Sequence, residues 1–204
     1  DPARALAQIR DEGVTVAFTC FPTVMDALLA RPEFGAAFAG VRLMLNVGAP
    51  DTLRAIQARA PGTVQLTSYG SSEVGGIGAT TGPDDPEEVR LGTNGHPLPG
   101  MEMAASAPAT GDRCPPGVLG EIVVRGTARF AGYWGDDAAT AAATTPQGWF
   151  RSGDLGFVDA DGRVSYRGRI KEMIKVGGEN VSAMEVEVVL ARHPDERYTE
   201  VPVA

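Results

Sequence analysis

The chain has 204 residues, 43% of them hydrophobic and 22% charged, which is enough for one well-filled core or a large domain with a smaller piece attached. A formal net charge of -8 argues against nucleic acid as a partner, because that surface needs a clustered basic footprint. No apolar run reaches the roughly 18 residues of a transmembrane segment, and the charged start "DPARALAQIRDEG" does not read as a signal peptide, so a cytoplasmic protein is expected.

Residues 2–12 predict an amphipathic helix, and "VTVAFTCF" predicts a short strand rich in β-branched and aromatic residues. "PTVMDALLARPEF" predicts a second helix with Thr23 and Asp26 as its N-terminal box. "VRLMLNVGAP" reads as a buried strand running into a glycine turn; Asp51 is expected to cap the helix "TLRAIQARAPG" and Gly62 to end it. "TVQLTSYG" is the next strand. This alternation predicts a parallel α/β layer over residues 1–90. Residues 91–168 are rich in Gly and Pro, with short β-patterned runs such as "GEIVVRG" and "RVSYRG" and a "DADG" turn at 159–162; they predict a small β subdomain of hairpins. "GRIKEMIKVGGENVSAMEVEVVLARHPD" then shifts towards helix, with Ser182 and Glu185 as the capping box of a helix through about Arg192. The break at 167–171 is the expected domain boundary.

Cys20 and Cys114 lack C-x-x-C spacing and read as reduced thiols. Both histidines precede proline, in "GHPLPG" and "RHPD", without a ligand cluster beside them, which weighs against zinc and against a histidine-based triad. Trp134 and Trp149 read as packing residues of the β subdomain. Beside 16 arginines the chain has only two lysines, Lys171 and Lys175, four apart. A compact ammonium suits a crowded phosphate or carboxylate that a guanidinium cannot serve in the same way; coincidence on a surface is the competing reading. "GGIGATTG" fails as a dinucleotide loop because Thr81 stands at the third glycine position, and no G-x-x-x-x-G-K-[ST] loop is present.

"SYGSSEVGG", residues 68–76, sets Tyr69 and Glu73 among residues with almost no side chain. A strand would deliver Tyr69 to the C-terminal edge of the sheet, where α/β ligands bind. Its ring can lie flat under a purine, with room left by the small neighbours. Ser71 and Ser72 can donate to phosphate oxygens, and Glu73 can reach a Mg²⁺ that rides on them. A plain Gly/Ser loop is the competing reading.

Four stretches in order change that balance. "SYGSSEVGG" resembles the Y-G-x-[ST]-E motif of the adenylate-forming superfamily, which comprises acyl-CoA synthetases, peptide-synthetase adenylation domains and luciferases. "GEIVVRGTARFAGYW", "GWFRSGDLG" and "GRIKEMIKVGGENVSAMEVE" resemble three further motifs of that family, and "TCFPTVMDALL" and "LNVGAP" agree with its intervening segments. The resemblance implies an α/β fold: the later part of a large AMP-binding domain over residues 1–168, then the beginning of a small α+β lid domain over 169–204.

It also implies residue roles. Tyr69, flanked by Ser68 and Gly70, would stack on adenine, with Gly48, Ala49 and Pro50 as the opposite wall. Ser72 would bind the nucleotide phosphate and Glu73 the magnesium. Asp154 would hold the ribose hydroxyls, with Arg169 reaching the ribose side; a simple Gly-Asp turn and a surface pair with Glu172 are the competing readings. Lys171 would be the hinge, and Lys175 would act near the reacting acyl group. The acyl and CoA pocket would include Phe21, beside Thr19 and Cys20, together with Gly75, Gly76, Gly78, Gly177, Gly178 and Asn180.

The implied reaction joins a small-molecule carboxylate to ATP with Mg²⁺, releasing pyrophosphate, and then transfers the acyl group to coenzyme A. A medium-chain fatty, carbocyclic or aromatic acid is expected. The alternatives are a peptide-synthetase-type domain that loads a carrier protein and a non-catalytic acyl- or nucleotide-binding remnant. The family's phosphate loop would lie upstream of Asp1 and its C-terminal lysine beyond "EVPVA", so the chain reads as a fragment, inactive or nearly so alone.

Overall fold

The structure, a computed structural model, describes residues 1–176, 179–182, 186 and 189–190. In chain order the elements are α1 (Pro2–Asp11), β1 (Val16–Cys20), α2 (Pro22–Leu29), α3 (Phe34–Phe38), β2 (Leu43–Asn46), α4 (Pro50–Arg59), β3 (Val64–Leu66), β4 (Ser68–Tyr69) and β5 (Ala79–Thr80). They continue with α5 (Glu87–Gly92), β6 (His96–Pro97), β7 (Met101–Ser106), β8 (Gly120–Gly126), α6 (Asp137–Ala142), β9 (Phe150–Val158), β10 (Val164–Arg169), β11 (Met173–Val176) and β12 (Glu179–Ser182). The chain forms two compact units. One contains Asp1–Ser68 and Thr80–Gly95; the other contains Tyr69–Ala79 and the described residues from His96 onward.

The first unit is built on a parallel sheet in the order β1-β2-β3, with Val16 opposite Leu43 and Leu43 opposite Val64. The period of two along β1 and β2 sends Ala17 and Met44 into a core with Leu6, Met25, Leu28, Phe34 and Phe38. Each fully buried Leu or Met there contributes about 1.5–3 kcal/mol. The alternate residues Val16 and Phe18 remain 52% and 60% exposed. At the C-terminal ends of the strands Thr19 Oγ1 donates to Asn46 Oδ1 (2.5 Å), Asn46 Nδ2 to Gln65 Oε1 (3.0 Å) and Gln65 Nε2 to the Leu53 carbonyl (2.6 Å). This ladder satisfies two fully buried amide side chains, which would otherwise be costly.

The second unit is an antiparallel sheet in the order β10-β9-β8-β7. Its core gathers Tyr69, Val74, Met101, Met103, Ile122, Val124, Phe150 and Val164. The "DADG" turn forms as expected: Asp159 N bonds to the Arg163 carbonyl at 3.0 Å and Gly162 N to the Asp159 carbonyl at 3.1 Å. The β9–β10 register shifts between Tyr166 and Gly168, and beyond the shift Arg169 faces Asp154. Such an irregularity re-aims side chains at a strand end.

Several local expectations change. The predicted helix from Pro22 to Phe34 divides into α2 and α3, and α2 is capped by extended Phe21 without a side-chain bond from Thr23 or Asp26. Pro22 at the first helical position supplies the preset φ that a start requires. For the same reason α4 begins at Pro50, so Asp51 lies inside the first turn and pairs with Arg54 (3.1 Å). That helix ends at Arg59 with Ala60 as its cap, ahead of Gly62. Helices α5 and α6 stand in stretches with no predicted helix; Asp136 caps α6 by accepting from Ala139 N at 2.8 Å. After Arg169 the chain forms a 3₁₀ turn (Ile170–Glu172) and the β11–β12 hairpin, because Ile174, Val176 and Val181 favour strand over helix. Ser182 ends β12, while its expected capping partner Glu185 lies outside the described residues, as do Gly177, Gly178 and the end of the predicted helix at Arg192. Trp134 is fully exposed and packs no core. Trp149 instead carries the guanidinium groups of Arg113 and Arg125 at 5.2 and 4.5 Å from its ring.

Candidate nucleotide site

The stretch 68–76 owes its glycines to its own backbone. At Gly70 a Cβ would run into the Gly76 carbonyl and lie 2.9 Å from Ile77 Cα, so the space beside it is already filled. Gly75 and Gly76 hold φ of 74° and 92°, closing a 3₁₀ turn (Ser72–Val74) in which Gly76 N bonds to the Ser71 carbonyl at 2.9 Å. The tight turn buries Val74, leaves Ser72 exposed and half-buries Glu73. Tyr69 is 6% exposed, packed in the second core with its ring 6.1 Å from that of Tyr166.

Asp154 comes to the same place from β9. Tyr69 Oη donates to Asp154 Oδ2 at 2.6 Å, across 85 residues of sequence. Arg169 Nε lies 3.0 Å from Asp154 Oδ1, and Arg169 Nη1 donates to the Ser152 carbonyl at 3.1 Å. The Asp154 amide donates to Ser152 Oγ at 3.0 Å across Gly153, whose φ of 70° kinks the backbone inside β9. Asp154 Oδ1 is buried and accepts no hydrogen bond among the described residues, although Arg169 faces it as a charge. Arg169 therefore pairs with Asp154, not with Glu172 as the surface reading would have it.

Burial is the main influence on Asp154 and raises its carboxyl above the ordinary range. The Tyr69 hydrogen bond and the Arg169 charge oppose that rise, while Glu172 and Glu73 add to it. Tyr69 is pushed well up, first by burial and then by the Asp154 charge, so its hydroxyl stays a donor. Burial also pulls Glu73 upward, but the Ser71 hydroxyl, the Glu73 amide, the Tyr133 hydroxyl and the Arg169 charge outweigh it and hold Glu73 ionised below the usual range.

A single ionised carboxylate fits magnesium, which keeps several waters and needs only one or two protein carboxylates when it rides on phosphates. No group of three or more His, Cys, Asp or Glu that could cage a metal occurs among the described residues. Glu73 is the carboxylate that could hold such an ion, which would supply neutralisation of phosphate charge.

The remaining candidates fall as follows. Gly48, Ala49 and Pro50 form the β2–α4 turn of the first unit, where Ala49 is the extended cap residue. Ser68 belongs to the same unit and is buried, its carbonyl accepting from Asn94 Nδ2 at 3.1 Å. Phe21 there is 61% exposed after Cys20, the only positive-φ residue other than glycine among those described (φ 62°). Gly75, Gly76 and Gly78 belong to the second unit, and a Cβ at Gly78 would lie 2.5 Å from Met103 Cε. Lys171 is exposed in the 3₁₀ turn after β10. Lys175 and Asn180 occupy paired register positions of the β11–β12 hairpin. Sequence reasoning missed Tyr133, whose hydroxyl donates to Glu73 Oε1 at 3.0 Å. Its place in "AGYW", inside a stretch already singled out, was the available signal.

Residues 1–134 match the AMP-binding enzyme family. The chain is 39% identical to sulfoacetate–CoA ligase of Cupriavidus necator over 85% of its length and 34% of the relative's. It is 36% identical to 4-chlorobenzoate–CoA ligase of an Arthrobacter species, covering 95% of the chain and 37% of that enzyme. The ATP-bound structure of MatB from Rhodopseudomonas palustris superposes with a TM-score of 0.83 at 31% identity, covering 95% of this chain and 38% of that one. The chain thus spans about a third of the length of the curated relatives it matches. No helix among the described residues is long and apolar enough to cross a membrane. With mixed parallel and antiparallel sheets, adenylate-forming structural neighbours and the motif residues Tyr69 and Asp154 in contact, the chain belongs to the family of AMP-binding enzymes.

Proposed function

We propose that residues 1–204 are part of an AMP-forming acid–thiol ligase. It would join a carboxylic acid to ATP, release pyrophosphate, and pass the acyl group to coenzyme A with release of AMP. The observation that carries this reading is the Tyr69–Asp154 hydrogen bond, with Arg169 beside it: two stretches 85 residues apart meet where base and sugar would be read. Asp154 accepts from ribose hydroxyls, Tyr69 offers its ring to adenine, Ser72 donates to phosphate, and Glu73 holds the magnesium. Little covalent chemistry falls to these groups; alignment and charge neutralisation carry the rate.

In this reading residues 1–168 belong to the large domain and 169–204 begin the lid, which turns about Lys171 between the two half-reactions. Lys175 and Asn180 would then act near the acyl group. Aromatic acids lead the substrate classes, in keeping with relatives named for 4-chlorobenzoate, salicylate and indoleacetate. A carrier-protein acceptor is the second reading, favoured by a relative named as a fatty acid–[acyl-carrier-protein] ligase.

ATP–pyrophosphate exchange by the full-length parent, against a panel of aromatic, fatty and amino acids, tests the activity. Exchange with none of them would overturn it, and thioester formation on free CoA or on a carrier separates the two acceptors. Glu73→Gln is expected to lower exchange about a hundredfold, the scale of one lost electrostatic contact at a reacting phosphate. Lys171→Ala is expected to leave exchange within about twofold and to slow thioester formation about tenfold, as loss of a conformational step would. Equal losses in both half-reactions would remove the hinge role.

A further inference from the structure

Glu73 is held by a loop that no motif role accounts for. Tyr133 Oη donates to Glu73 Oε1 at 3.0 Å, and Phe130 N donates to the Glu73 carbonyl at 2.7 Å, so one short segment grips both the side chain and the backbone of this residue. The segment is anchored in turn. The Phe130 ring meets Tyr133 edge-on at 4.9 Å and Phe150 of the core edge-on at 5.4 Å. Tyr133 N bonds to Thr140 Oγ1 at 2.9 Å, and Thr140 Oγ1 donates to the Asp136 carbonyl at 2.9 Å, so α6 holds the backbone from which the phenol projects. A carboxylate on a tight glycine turn has freedom to swing; this one is tethered through one oxygen to a phenol whose ring packs edge-on against Phe130 and whose backbone amide is tied to α6.

We infer that Tyr133 is a positioning residue for metal binding: its hydroxyl fixes the Glu73 carboxylate so that the other oxygen faces a divalent cation carried by the nucleotide phosphates. The inference rests on the proposed role of Glu73. The physical basis is that of outer-sphere partners generally, which orient a ligand and reduce the ordering it must undergo when the ion arrives. Tyr133 itself touches neither metal nor nucleotide. Its hydroxyl is partly open to solvent, so the effect lies at the lower end of the range for such partners.

The test uses full-length parent protein with a non-hydrolysable ATP analogue, and Mn²⁺ affinity is read by electron paramagnetic resonance. Tyr133→Phe keeps the ring and removes only the hydroxyl; it is expected to weaken Mn²⁺ about five- to tenfold and to raise the Mg²⁺ requirement of exchange by the same factor. The KM for the carboxylic acid should not move. In a Glu73→Gln background the Tyr133→Phe effect should vanish, which a merely structural role would not produce. If Glu73→Gln weakens Mn²⁺ but Tyr133→Phe does not, the positioning role is wrong. If Glu73→Gln leaves Mn²⁺ affinity unchanged, the metal assignment of Glu73 itself falls. Should Tyr133→Phe fold poorly, Phe130→Leu, which loosens the same segment by removing the ring contacts with Tyr133 and Phe150, must give a smaller shift in the same direction; no shift overturns the inference.

Discussion

Replacing Asp154 by alanine in the full-length parent is expected to lower ATP–pyrophosphate exchange about a thousandfold, chiefly through the KM for ATP. Two hydrogen bonds from ribose to a carboxylate are worth about 1.5–3 kcal/mol each, and each 1.4 kcal/mol or so is a factor of ten. Stability should fall as well, because the buried Tyr69 hydroxyl loses its acceptor, at a cost of about 1–3 kcal/mol. The ion pair with Arg169 adds little to that loss, since the Arg169 side chain is 41% exposed and screened by solvent. The same site predicts a pH dependence. Burial raises the Asp154 carboxyl, so on acidification it takes up a proton at a higher pH than an ordinary aspartate. The KM for ATP should therefore rise as pH falls through that value, and this acid limb should be absent in Asp154→Ala. An unchanged KM for ATP in the variant would remove the ribose role.

Gly70→Ala is expected to destabilise the protein by about 3 kcal/mol or more, seen as a lower urea midpoint at unchanged slope. The added Cβ meets backbone: the Gly76 carbonyl, with its carbon at 2.8 Å, and Ile77 Cα at 2.9 Å. Neither can rotate aside as a side chain could. Relief would have to come from opening the 71–76 turn, which would move Glu73 and weaken nucleotide binding together with stability. Gly62→Ala is the control, because nothing lies within 4 Å of a Cβ there. It should change stability by no more than about 0.5 kcal/mol. Equal effects at the two positions would contradict the packing described for Gly70.

What was legible in the sequence followed from periodicity and turn chemistry. β1, β2 and β3 announced themselves through β-branched and apolar runs, and the "DADG" turn through its residues. The second helix begins at Pro22 as expected, whereas the next begins at Pro50, ahead of the expected cap Asp51, because the fixed φ of proline decides where a helix can begin. α6 was marked by the Asp136 cap and by its run of alanines, but it is short and is flanked by the glycines at 132, 135 and 148, which point to turns. The site was legible as separate motifs, but the bond between Tyr69 and Asp154 was not, since it joins positions 85 residues apart that no local pattern pairs. Tyr133 had its place in "AGYW" as a signal, but nothing local to it points to Glu73 as its partner. It lies 60 residues away and is placed by α6 and the Phe130 wedge.

The sheet β1-β2-β3 has a consequence for handling the molecule. Among the described residues its order leaves β1 at a margin, with Val16 and Phe18 projecting outward, and Phe21 and Val24 exposed just beyond. Parallel strands are normally sheathed on both faces, and an unpaired apolar strand offers free amides and carbonyls to any similar strand that drifts past. Prepared alone, residues 1–204 should therefore self-associate as concentration rises, and light scattering would register this. Phe18→Lys should suppress the clumping without disturbing the inward-facing Ala17 and Met44, because a charge at a strand margin repels its own copies.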